Sequence, residues 1–115
     1  MITELRIRGL GVIADAVVPF APGLTVVTGE TGAGKTMVLS GLGLVSGERA
    51  DAGLVRTGSP RADVDAEWRL EDRVARSIAG RLDDAGVEVE REGDDAVLLL
   101  GRSIAAGGRS RAFAG

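Results

Sequence analysis

A short, nearly continuous apolar run, Leu24 to Thr28, passes directly into Gly29-Glu30-Thr31-Gly32-Ala33-Gly34-Lys35-Thr36, and the residues that follow carry apolar side chains at helical spacing, Val38, Leu39, Leu42 and Val45. A strand of this composition is buried on both faces, so the order strand, glycine turn, helix demands a layered sheet-and-helix domain. The turn has the spacing G-x-x-x-x-G-K-[ST] of a phosphate-binding loop. Successive backbone N–H groups in such a turn converge on one point, and the N-terminus of the next helix adds its positive dipole. Gly29, Gly32 and Gly34 permit that backbone path, while Glu30, Thr31 and Ala33 fill variable positions. Lys35 is placed to reach β- and γ-phosphate oxygens, and the Thr36 hydroxyl to ligate Mg²⁺. Among the 14 basic residues Lys35 is the only lysine. A compact ammonium fits between phosphate oxygens where a planar guanidinium is too broad. The plain alternative is a glycine-rich turn whose lysine points to solvent.

Composition narrows the chemistry. The chain has no cysteine and no histidine, which excludes disulfides, thiolate or imidazole metal sites and Ser-His-Asp catalysis. With 115 residues it is one domain or less, and its few aromatics, Phe20, Trp68 and Phe113, fit a sheet packed by aliphatic side chains. A formal charge of −3 argues against bulk attraction to nucleic acid, so any DNA contact must come from a local arginine patch. The chain opens on a strand-like segment with no signal core and no membrane-length apolar run, which predicts a soluble cytoplasmic protein without membrane partners.

The remaining segments alternate strands and turns. Ile2 to Arg8 places Thr3, Leu5 and Ile7 opposite Glu4, Arg6 and Arg8, a period of two. Val12 to Phe20 is β-rich, so an antiparallel hairpin is expected across Gly9 and Gly11. The helix from Lys35 to about Ser46 should stop at Gly47, and Gly41 and Gly43 inside it each cost about 1 kcal/mol relative to alanine unless a close neighbour requires them. Glu48 to Arg61 reads as a loop with a short strand at Leu54 to Thr57. Ala62, Val64, Ala66, Trp68 and Leu70 alternate with charged residues as a one-sided strand. Asp72 is placed to cap a helix carrying Val74, Ile78 and Leu82, with Gly86 to end it. Strands are expected at Val87 to Arg91 and Ala96 to Ile104, split by the turn Glu92-Gly93-Asp94-Asp95, and at Arg109 to Ala114.

Hydrolysis of a bound nucleotide needs a second, acidic motif, and none stands out. Ala96 to Leu100 is followed by Gly101 and Arg102 in place of an acid, and Glu71 and Asp72 follow a half-exposed strand. Leu39-Ser40-Gly41 resembles the start of a transporter-type signature but belongs to the loop helix. Gly9-Leu10-Gly11-Val12-Ile13-Ala14 matches the dinucleotide fingerprint, yet a β-branched run with Pro19 follows where a helix is required, so a hairpin loop is the better reading. Arg102, Arg109 and Arg111 form a group of cations with no acid between them, open to phosphate or simply a solvated hairpin face.

The opening Met1 to Arg8 and the stretch Phe20 to Thr36, followed by Leu42-Gly43-Leu44, Gly47-Glu48-Arg49-Ala50-Asp51, Val55-Arg56-Thr57-Gly58 and Gly108-Arg109-Ser110-Arg111-Ala112-Phe113, resemble the amino terminus of the bacterial RecN family. That resemblance implies an α/β fold of the P-loop NTPase type: the N-terminal lobe of an ABC/SMC-type ATPase head, with a mixed sheet and antiparallel β-hairpins, over residues 1–115. It implies Mg²⁺ and ATP as cofactors, bound through Gly29 to Thr36. It also implies a C-terminal lobe of the same protein as partner, ATP-sandwiched homodimers, DNA double-strand-break repair and recombination, and a nucleoid-associated place in the cytoplasm. The family's Q-loop glutamine has no counterpart here, since the chain contains no glutamine, and signature, Walker B and switch histidine are likewise absent. By this reading the chain alone binds with little or no turnover. Ser40, Gly41, Gly101 and Ala114 depart from the residues usual in the family. The rival readings are a small stand-alone kinase or GTPase, and a non-enzymatic DNA-binding module with a vestigial loop.

Overall fold

The computed structural model describes residues 2–20, 32–87 and 89–114, of which 32–35 by backbone alone. Strands β1 (Ile2–Leu10) and β2 (Ile13–Pro19) form the expected hairpin, joined by Gly11 and Val12. Helix α1 (Gly32–Val45) and a 3-10 turn (Ala52–Leu54) lead to β3 (Arg61–Leu70), helix α2 (Asp72–Asp84), β4 (Glu90–Glu92), β5 (Asp95–Ala105) and β6 (Ser110–Ala114). The sheet runs β2-β1-β3-β5-β4, with β6 also on β5, and every described pairing is antiparallel. The run Leu24 to Thr28, expected as a buried strand, lies outside the described residues. No described helix is long and apolar enough to cross a membrane.

Alternation along β1, β3 and β5 divides the sheet into two unlike faces. Leu5, Ile7, Ala62, Val64, Ala66 and Ile104 point inward and are buried with Val38, Leu44 and Val45 of α1. Each large aliphatic removed from water in this way contributes about 1.5–3 kcal/mol. Arg6 and Arg8 point the other way, where they meet Asp15 and Asp65 at 3.9 Å. These pairs are half exposed and worth little individually, so the sheet is held from its helical side.

The buried stripe of α1 differs from the apolar pattern in the sequence. Val38, Gly41, Leu44 and Val45 face the sheet, whereas Leu39 remains 62% exposed. Gly41 is the reason: a Cβ there would stand 3.1 Å from Ile7 Cδ1 and 3.5 Å from Val64 Cγ1. The interior glycine therefore answers to close approach of helix and sheet. Gly43 differs, since its missing Cβ would run into the flexible carboxylate of Glu48.

Both helices stop where glycine was expected to stop them. Gly47 N–H donates to Leu44 O at 3.2 Å and Glu48 N–H to Gly43 O at 2.9 Å; Gly86 N–H donates to Asp83 O at 3.0 Å and Val87 N–H to Leu82 O at 2.8 Å. Each set closes a Schellman motif around a glycine at positive φ. The expected strand at Leu54 to Thr57 is instead the 3-10 turn and a single bridge from Val55 to Leu10. This strap is fixed by Gly11 N–H to Leu54 O at 2.7 Å and Arg56 N–H to Gly9 O at 2.8 Å. The strand expected at Val87 to Arg91 is shorter and later, because the Schellman turn at Gly86 occupies its start and pairing with β5 begins at Glu90.

At α2 the cap is Glu71, without a side-chain cap bond, and Asp72 is the first helical residue. Asp72 serves ion pairs instead: Arg91 Nη2 donates to Oδ1 at 2.6 Å and Arg76 Nε lies 2.8 Å from Oδ2. The hydrogen bond from Arg91, foremost, and the charges of Arg76 and Arg91 hold this carboxyl below its ordinary pKa, against a smaller opposing effect of desolvation. A depressed folded-state pKa gives stability that is present above the unfolded value of about 3.9 and is lost as pH falls through the folded value. Asp72→Asn should therefore melt below the native chain at pH 7, with the gap closing as the pH is lowered beneath 4. Thermal melts of both chains across that range check it, and a gap independent of pH would contradict the assignment.

Candidate nucleotide-binding site

The 14-residue helix α1 begins at Gly32, inside the motif, three residues before Lys35. Its first-turn N–H groups, from Gly32 to Lys35, therefore lie in the part of a helix that lacks intrahelical acceptors, and no acidic residue occupies that turn. Both facts suit an anion at this end. Gly29, Glu30 and Thr31 lie outside the described residues, as do the side chains of Gly32 to Lys35. Thr36 is the first motif residue whose side chain is described, and it is exposed near the helix start.

The β1–β2 turn stands beside this helix end. A Cβ on Gly11 would collide with the thioether of Met37, the residue after Thr36. Gly11 thus belongs to a tight hairpin packed on α1, which disposes of the dinucleotide fingerprint: no helix follows Gly9 and Gly11, only β2. Likewise Ala96 to Leu100 is the interior of β5, and Leu39-Ser40-Gly41 is mid-helix. Among the described residues no group of three or more Asp or Glu is gathered to hold a metal.

The three arginines of the last hairpin separate. Arg109 and Arg111 are exposed and make no ion pair among the described residues. Arg102 points inward, against the expectation of a solvated face. Its Nη1 donates to Leu44 O at 3.1 Å and to Glu48 O at 2.9 Å, and its Nη2 to Ser110 Oγ at 2.7 Å. Sequence reasoning missed this role because two of the three acceptors are main-chain carbonyls far along the chain.

Residues 4–99 match the AAA domain family. The chain belongs to that family. Among curated proteins, the chain is 53% identical to the DNA repair protein RecN of Streptomyces coelicolor over 96% of its own length and 18% of that protein. It is 48% identical to RecN of Mycobacterium tuberculosis over 100% of its length and 20% of that protein. The chain thus spans about a fifth of the length of these curated relatives, and the resemblance to RecN seen in its motifs extends over nearly all of it.

Solved structures agree on the fold. A chain from a study of ATP-driven dimerization and DNA-stimulated activation of SMC ATPases superimposes with a TM-score of 0.69 at 21% identity, over 98% of the present chain and 68% of that one. The Smc head bound to the C-winged helix domain of ScpA gives a TM-score of 0.68 at 19% identity, covering 98% and 35% respectively. The fold is that of an SMC-type ATPase head lobe, as the sequence led one to expect.

Proposed function

We propose that residues 1–115 form the nucleotide-binding N-terminal lobe of a RecN-type ATPase head that acts in DNA double-strand-break repair and recombination. The observation that carries this reading is that α1 begins at Gly32, within the phosphate-loop sequence Gly29 to Thr36, with no acid in its first turn. Main-chain N–H groups of the glycine loop and the Lys35 ammonium would hold the β- and γ-phosphates of ATP, and the Thr36 hydroxyl would hold Mg²⁺. The bound metal would neutralise charge on the phosphates during transfer. Hydrolysis requires an acidic residue to orient water and a signature motif facing the γ-phosphate. Neither has a candidate among these residues, so both would come from a C-terminal lobe and from a second head across an ATP-sandwiched homodimer. DNA is the partner of the full assembly, in a cytoplasmic, nucleoid-associated setting. The RecN relatives support this reading over a stand-alone kinase or GTPase and over a DNA-binding module with an idle loop.

Calorimetric titration with Mg-ATP tests the assignment. The native chain should bind saturably, and Lys35→Ala should bind roughly a hundredfold more weakly, the loss expected for charge-assisted hydrogen bonds to phosphate. Equal affinity in the two chains would end the proposal.

A further inference from the structure

Helix α1 has no basic residue in its last turn, although the C-terminus of a helix carries the negative end of its dipole and favours a cation. The cation comes instead from β5. Arg102 donates to two carbonyls at this end, Leu44 O and Glu48 O, and at the same time to the Ser110 hydroxyl on β6. One guanidinium therefore joins the helix to the strand at the edge of the sheet. Its Nε is buried without a partner among the described residues, so the side chain gives up a hydrogen bond to reach these three acceptors.

Between this clasp and the phosphate loop lies Gly41, where the helix backbone packs on Ile7 and Val64, flanked by the buried Val38, Leu44 and Val45. At 1.5 Å per residue, Thr36 lies about 7.5 Å and Leu44 about 4.5 Å from Gly41 along the axis. A helix is stiff over that span, so a tilt that lifts the clasped end, and with it the buried Leu44 and Val45, is carried to the loop end. The phosphate-binding amides are useful only while they converge on one point.

We propose that Arg102 is a positioning residue for nucleotide binding: by holding the C-terminal end of α1 it fixes the loop at the other end, and through Ser110 it couples occupancy of the loop to strand β6. This rests on the assignment of Gly29 to Thr36 as the nucleotide site. Coupling of this kind is reciprocal, so ATP must steady β6 as much as β6 steadies the loop.

The experiment compares Mg-ATP affinity and ATP-dependent amide exchange of β6 in the full chain, in Arg102→Ala, in Ser110→Ala and in Leu82→Ala. The last is a comparator weakened on α2, with no part in the clasp. Arg102→Ala should bind ATP about tenfold more weakly, while Leu82→Ala, with a similar loss of melting temperature, stays within twofold of the native chain. ATP should slow exchange in β6 of the native chain, and this protection should fall by at least half in Ser110→Ala, which removes an exposed hydroxyl and tests the coupling even if Arg102→Ala does not fold. Affinity within twofold in a folded Arg102→Ala, an equal loss in Leu82→Ala, or unchanged β6 protection in Ser110→Ala would each overturn the inference. Absence of ATP binding by the native chain would instead overturn the nucleotide assignment beneath it.

Discussion

Replacing Ile7 by alanine should lower stability by about 2–5 kcal/mol, the range for truncating a fully buried aliphatic side chain. Ile7 has no exposed surface and sits on the strand between β2 and β3, opposite Gly41 of α1. Its Cδ1 lies 3.1 Å from where a Gly41 Cβ would stand, so truncation empties the space against which the helix is seated. Collapse is difficult, because the other wall is Val64, itself only 1% exposed and fixed in β3 by pairing on both sides. The upper half of the range is therefore expected. Urea unfolding followed by circular dichroism should show a lower midpoint with unchanged slope, and the melting temperature should drop by roughly 10–20 °C. Ile7→Val, which keeps the branch and loses one methyl, should cost only about 0.5–1.5 kcal/mol. A near-zero effect of Ile7→Ala would mean that α1 is not seated on β1.

The parts of this fold that were legible from the sequence are those encoded by neighbours. Two-residue alternation in Glu4 to Arg8 and in Ala62 to Leu70 marked strands whose inner and outer faces came out as written, because a sheet packed on one side imposes that period directly. A bulge between Ile2 and Glu4, by contrast, packs Ile2 on the core and turns the Thr3 hydroxyl, expected inside, to the Glu67 carboxylate. Gly47 and Gly86 marked helix ends because each takes up a positive φ within its own turn. What failed to show were features decided by distant contacts. Val38, Leu39, Leu42 and Val45 suggested one helical face, but the face is set by Gly41, which carries no hydrophobic weight in any pattern and is recognised only once Ile7 is placed opposite it. Arg102 resembled a solvated cation since nothing near it in sequence is acidic, and its acceptor on Leu44 is 58 residues away. Asp72 was expected to cap because aspartate does so often; Arg91, 19 residues on, claims its carboxylate instead. At the candidate site the situation is reversed. The eight-residue loop is a local motif, readable from its spacing alone, and what the structure adds is the helix it opens and the hairpin turn beside it.

Gly9→Ala is the second large loss to be expected, and Gly86→Ala shows why. Both glycines adopt left-handed backbone, at φ 68 and 72 respectively, where an L side chain costs roughly 1–2 kcal/mol. At Gly86 that is the whole effect, because a Cβ there would meet nothing within 4 Å. At Gly9 a Cβ would stand 2.6 Å from the main-chain oxygen of Arg61, closer than carbon and oxygen can approach. Backbone cannot swing aside as a side chain can. Arg61 is the first residue of β3 and pairs with Ala105, while the Gly9 carbonyl accepts from Arg56 N–H, so the strap from Leu54 to Pro60 is held at both ends and must be pried off β1. The alanine chain should therefore lose about 3 kcal/mol or more, the backbone term plus an overpacking term of about 1–3 kcal/mol. Paired urea titrations of the two variants isolate the contact: Gly9→Ala should be the less stable by at least 1 kcal/mol, and its Arg56 amide should exchange faster than in Gly86→Ala. Equal stabilities would show that the strap yields without cost and that Gly9 is kept for its backbone angle alone.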